Sequence, residues 1–90
     1  MIEWSEEKNR QLIQERDICF EEVLEAIEDG RILADLIHPN SEKYPSQRVL
    51  VVEIQRYAFL VPYVQKGEII FLKTILPSRK YTKKFLLSEL

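Results

Sequence analysis

The chain is short of the residues that most metal, disulfide and nucleotide chemistry requires. Its single cysteine, Cys19, cannot form an internal disulfide and supplies at most one thiolate to a metal. Its single histidine, His38, leaves zinc without its usual ligand set. Two glycines, Gly30 and Gly67, cannot build a glycine-rich phosphate loop. No apolar run approaches the ~18 residues of a membrane-spanning helix. The opening MIEWSEEKNR is acidic where a secretion signal is basic and then apolar. These absences set the expectation of a cytoplasmic protein with no membrane partner, no metal and no cofactor.

What is present suits one domain. The 90 residues are 46% apolar, enough for a modest core. Net charge is only −2, but it is lopsided. Residues 1–30 carry ten acids against three bases, whereas residues 48–90 carry eight bases against three acids. The asymmetry is either ordinary solvated charge or the mark of a dipolar molecule with an anion-binding half, and the acidic run is either a solvated face or a docking surface for a basic partner.

Hydrophobic periodicity gives the element order. Met1–Trp4 reads as a short strand. Ser5 is a good helix cap, with Glu6 and Glu7 placed where the helix dipole favours acids. Asn9, Leu12, Ile13 and Arg16 recur at helical spacing, with Leu12 and Ile13 expected inward. Phe20, Val23, Leu24 and Ile27 form a clear amphipathic stripe that ends at Asp29-Gly30. From Arg31 the period changes to two. After a loop at 38–46, strands are expected over Arg48–Ile54, Tyr57–Val64 and Ile69–Leu76, with turns at Gln55-Arg56 and Lys66-Gly67. Pro62 cannot donate to a ladder and marks a bulge or an edge. A last helix from about Ser78 carries Leu86, Leu87 and Leu90. The order β-α-α-β-β-β-β-α implies an α+β fold, an antiparallel sheet packed on one face by two N-terminal helices and a C-terminal helix.

Cations and phenols dominate the C-terminal half. Arg48 opens a strand with a guanidinium able to grip phosphate bidentately. Lys73 is expected inside the last strand, lining a cleft or snorkelling from an edge. Arg79 and Lys80 at a helix start oppose the dipole, a cost that a bound anion offsets. Lys83 and Lys84 extend the same basic face. Tyr81 presents a ring and a hydroxyl, and His38 is the one imidazole available for proton transfer. Were the anion RNA, the ribose 2′-OH would attack the adjacent phosphate while Arg and Lys stabilise the developing charge.

Three segments in register resemble a known family. Ile2-Glu3-Trp4-Ser5 with Lys8-Asn9, followed by Ile18-Cys19-Phe20-Glu21-Glu22, is similar to the opening of BrnT-type toxins. Ile75-Leu76-Pro77-Ser78-Arg79-Lys80-Tyr81-Thr82 resembles that family's closing segment, and Gln47-Arg48 resembles its arginine at the equivalent hairpin. The resemblance implies a RelE-like fold and the toxin of a bacterial type II toxin–antitoxin module. It further implies a metal-independent endoribonuclease on mRNA and an antitoxin partner with a DNA-binding, ribbon-helix-helix domain, operator DNA being reached only through that partner. Arg79 and Arg48 match family positions implicated in toxicity, and Lys8 matches the family's N-terminal lysine, which makes these three, with Lys73, the candidate catalytic cations. The chain departs from the pattern at Glu15-Arg16-Asp17, where the family has lysine, histidine and glycine, and at Cys19, where it has a cap serine. Thr74 occupies a family arginine position, with Lys73 beside it. Two other readings stay open: a catalytically degenerate binding module, and a small domain whose basic tail meets nucleic acid only through phosphates.

Overall fold

Ser5 closes a three-residue strand and opens the first helix in the computed structural model, which describes residues 1–87. The strand β1 spans Ile2–Trp4. Ser5 Oγ accepts the Lys8 N–H at 3.2 Å, capping α1, Glu6–Arg16. Asp17 adopts a left-handed φ of 55° and ends it. Leu12 is buried, but Ile13 is 48% exposed, against the expectation that both face inward. The helix rests on a narrow line, Asn9 and Leu12, and Ile13 lies about 100° around from Leu12.

The second helix, α2 (Phe20–Glu28), buries Phe20, Val23 and Ala26. Its start is secured from α1: buried Asn9 accepts the Phe20 N–H at 2.7 Å through Oδ1 and donates through Nδ2 to Glu21 at 2.8 Å. The Cys19 N–H donates to Glu22 Oε1 at 3.3 Å, completing a cap that cysteine alone makes poorly.

Five further strands follow: β2 Ile32–Ile37, β3 Gln47–Ile54, β4 Tyr57–Lys66, β5 Ile69–Leu72 and β6 Leu76–Pro77. They form an open six-stranded sheet in the order β1-β5-β4-β3-β2, with β6 paired to β4. The chain is thus α+β. The sheet is mixed, not wholly antiparallel, because β1 runs parallel to β5 in the register Ile2↔Ile70 and Trp4↔Leu72. No hairpin links those two strands, so nothing local dictates their relative direction.

The expected strand Ile69–Leu76 is broken. β4 pairs with β5 from Tyr63 onward and with β6 at Phe59–Leu60, and Pro62 falls in the gap. Lacking an N–H, Pro62 cannot hold a continuous partner there, and residues 73–75 leave the ladder. Lys73 is consequently exposed outside any strand, its N–H donating to the Pro62 carbonyl at 2.8 Å. The β3–β4 turn is Gln55-Arg56, with φ of 54° and 64°. Lys66 pairs with Ile69, so the next turn is Gly67-Glu68, one residue later than expected.

Leu12, Ile18, Phe20, Val23 and Ala26 pack on Val52, Ile54, Val61 and Leu72, forming the core on one face of the sheet. Val49, Val51 and Ala58 are buried outside this cluster, on alternate positions and so on the opposite face. The final helix, α3 (Arg79–Phe85), packs against β4. Helices therefore cover both faces, not one. Leu86 and Leu87 lie past the helix end, and Leu90 lies outside the described residues. Among the described residues, no helix is long and apolar enough to cross a membrane.

Candidate nucleic-acid interface

Strand register decides which of the candidate residues can act together. Leu36, Val49 and Pro62 align across β2, β3 and β4, and Leu60 lies two residues along on the same face. This apolar row floors a cleft of about 220 Å³. The His38–Pro39 turn forms one wall and Tyr81 of α3 another, with Leu76 beside it. His38 and Tyr81, far apart in sequence, thus meet at one site.

His38 is held in place by its neighbours. The Asn40 N–H donates to His38 Nδ1 at 3.0 Å, and the imidazole lies 4.7 Å from the Tyr44 ring. With Nδ1 committed as acceptor, the neutral ring carries its proton on Nε2. The sequence allowed His38 as a base; this geometry presents its Nε2–H as a hydrogen-bond donor.

The α3 cations lie along one arc of the helix. Lys80 and Lys84 are one turn apart, with their Nζ atoms 5.3 and 5.9 Å from the Tyr81 ring centroid. Arg79 and Lys83 are likewise one turn apart, and Lys80 and Lys83, three residues apart, are neighbours, so the four cations follow one another around roughly 140° of the helix. The tail is therefore one basic face, with Lys80 and Lys84 nearest Tyr81 and Arg79 roughly 160° around the helix from it. The helix start is capped in part. Ser78 Oγ accepts the Tyr81 N–H at 3.2 Å, and the Ser78 carbonyl accepts the Thr82 N–H at 3.0 Å. Thr82 Oγ1 donates to Ser78 O at 2.7 Å and accepts the Ala58 N–H at 2.8 Å, bolting α3 to β4.

Arg48 stands apart from this cleft. It neighbours Val49, whose side chain faces the cleft, so Arg48 points to the other side of the sheet. There it is paired across β3 and β4 with Tyr63. Its Nε donates to Asp35 Oδ1 at 3.2 Å, and Tyr63 Oη lies 2.9 Å from both Asp35 carboxylate oxygens. The hydrogen bond that Arg48 donates to Asp35 holds the guanidinium more firmly protonated. Burial, reinforced by Asp35, pushes the Tyr63 phenol above its ordinary range. The sequence did not reveal this cluster: Asp35 reads as one polar residue in an apolar strand, and its partners are fixed only by register.

The remaining candidates are dispersed. Lys8 lies half-buried on α1, and Lys73 projects over the Phe71 ring at 5.7 Å from its centroid. Among the described residues, ion pairs involve only Arg31 and Arg48 as cations. The lysines of α3, Arg79, Lys8 and Lys73 are thus not neutralised by any described acid. Arg16, at the departure from the family pattern, ties α1 to the end of the sheet, its guanidinium donating to the Ile75 carbonyl at 2.7 Å. Burial pushes the Cys19 thiol up, away from the nucleophilic thiolate. Among the described residues, no three His, Cys, Asp or Glu side chains converge as a metal-binding group.

Comparison of the chain with protein-family models, with curated proteins and with solved structures gives no match.

Proposed function

We propose that the chain is the toxin of a type II toxin–antitoxin module, a metal-independent endoribonuclease on mRNA with a RelE-like fold. The observation that carries this reading is the cleft where His38 and Tyr81 meet beside the un-neutralised cations of α3. The lysines attract the phosphodiester, and the ribose 2′-OH is the nucleophile. Water takes the 2′-OH proton as that oxygen attacks phosphorus and returns a proton to the departing 5′-oxygen, while His38 Nε2–H donates a hydrogen bond to a non-bridging oxygen and the cations stabilise the phosphorane. A cognate antitoxin with a ribbon-helix-helix DNA-binding domain neutralises the activity and brings the complex to operator DNA. The cytoplasm is the setting of this reading.

The test is direct. The purified chain, incubated with RNA in the presence of a chelator, leaves 2′,3′-cyclic phosphate ends; the 2′-deoxy oligomer of the same sequence stays intact. Cleavage of both, or cleavage abolished by chelator, refutes the mechanism. Expression without the partner arrests growth, and His38→Ala relieves the arrest in a protein that still folds.

One observation favours a second reading. Arg48, at a family position tied to activity, is held by Asp35 on the face opposite the His38–Tyr81 cleft. A catalytically degenerate binding module fits that separation. It would co-purify with a DNA-binding partner and cleave no RNA at any salt or pH.

A further inference from the structure

We infer that the cleft between the His38–Pro39 turn and α3 seats a single unpaired nucleobase of an RNA strand, with the adjoining phosphate on Lys80 and Lys84. The inference rests on the RNA-directed reading above, though it requires binding alone and not cleavage. Three features select a base over other occupants. The floor of Leu36, Val49, Leu60 and Pro62 is apolar, which suits a flat ring and offers nothing to a free phosphate. The cleft measures about 220 Å³, below the roughly 300–1,000 Å³ of drug-sized pockets, a size that suits one ring system. The rim carries an aromatic ring, itself stacked on Phe85 at 5.8 Å, with an imidazole N–H and two ammonium groups within 6 Å of that ring's centroid, a combination that suits a base joined to its phosphate.

The arrangement separates recognition of the base from recognition of the charge. Tyr81 and the floor take the base, and Lys80 and Lys84 take the phosphate. Single-strand binders combine these elements, the aromatic contact being indifferent to sequence because every base has a π-face. Removing a stacking aromatic typically weakens binding by about 5- to 150-fold. In a duplex the base edges and faces are already used, so a structured RNA is the poorer ligand.

Fluorescence anisotropy of two labelled oligomers of equal length and charge resolves the two contributions. One is an ordinary oligoribonucleotide, and the other is built of abasic ribose-phosphate units. The base-bearing oligomer is expected to bind about 5- to 150-fold more tightly. Tyr81→Leu should erase that preference, Tyr81→Phe should keep it, and Lys80→Ala with Lys84→Ala should weaken both oligomers alike. On the unsubstituted chain, methyl resonances of Leu36, Val49 and Leu60 should shift only with the base-bearing oligomer, which keeps the test independent of how any variant folds. Equal affinity for the two oligomers, or a base preference without those methyl shifts, overturns the inference. So does displacement of the base-bearing oligomer by an apolar peptide that shifts the same methyls more strongly. Cleavage without base-dependent binding overturns the cleft assignment and leaves the ribonuclease reading standing. Base-dependent binding without cleavage does the reverse.

Discussion

Asn9 shows how one side chain can fix a junction between elements. It is 4% exposed, accepts the first N–H of α2, and donates to Glu21. Asn9→Ala strands the Phe20 N–H in the interior and is expected to cost about 1–3 kcal/mol in urea unfolding. The same bond holds the Glu21 carboxyl below its ordinary range, so NMR titration of Asn9→Ala should show the Glu21 pKa rising. In the wild type this carboxylate stabilises the fold above its ordinary pKa, and the contribution fades as pH falls through the folded value. Tyr63 runs the other way. Its phenol is raised by burial and by Asp35, so the folded state holds the proton after the unfolded chain has released it. Its stabilisation is complete below about pH 10 and is lost as pH climbs through the folded value. Unfolding measured from pH 8 to 11 should therefore show a steeper alkaline fall for wild type than for Tyr63→Phe. Neither bond was legible in the sequence, since Asn9 and Glu21 look like ordinary polar helix residues. Their roles depend on α1 ending where α2 begins.

At the scale of elements, periodicity reached far and partnership did not. The stripe Phe20-Val23 and the alternation from Ile32 onward located α2 and the strands, because burial against a sheet imposes those periods. The break at residues 73–75 escaped, although Pro62 announced an irregularity, because the consequence falls on the strand across from it. Thus Lys73, which sequence placed inside a strand, stands outside the ladder. Direction escaped as well: three residues of β1 pair parallel with β5, and nothing in their identity says so. The β3–β4 turn carries a measurable cost. Gln55 and Arg56 both take positive φ in a two-residue hairpin that favours Asn-Gly. Gln55 also donates to Glu22 at 3.1 Å, so Arg56 is the one to change. Arg56→Gly is expected to stabilise by about 0.5–1 kcal/mol, seen as a higher Tm, with the sheet unchanged. The opposite sign is expected where α3 joins β4. Thr82→Val preserves shape but leaves the Ala58 N–H without its acceptor, at a cost of about 1–3 kcal/mol. Hydrogen exchange at Ala58 should rise more than at the core amides of β3, since the lost bond is local to α3.

The whole molecule is a charge dipole, and this bears on what approaches it and from where. Ten acids against three bases in residues 1–30 repel a polyanion, while eight bases in residues 48–90 attract it. The sequence made this asymmetry plain. It could not show that the cations divide: Arg48 goes to the α1–α2 face with Asp35, while Lys80 and Lys84 flank Tyr81 near the opposite cleft. RNA binding should report the division. Each neutralised phosphate contributes a slope of about −0.7 to log K against log salt for a single strand, so contact by Lys80, Lys83 and Lys84 gives about −2. Replacing all three by glutamine should flatten the slope toward zero. Arg48→Gln should leave it unchanged if the cleft face is the one that meets RNA. A loss of slope with Arg48→Gln would instead place the strand on the Asp35–Tyr63 face and move the site across the sheet. That outcome would also reconcile Arg48 with its resemblance to the family arginine, because Asp35 would then be a counter-ion displaced by phosphate.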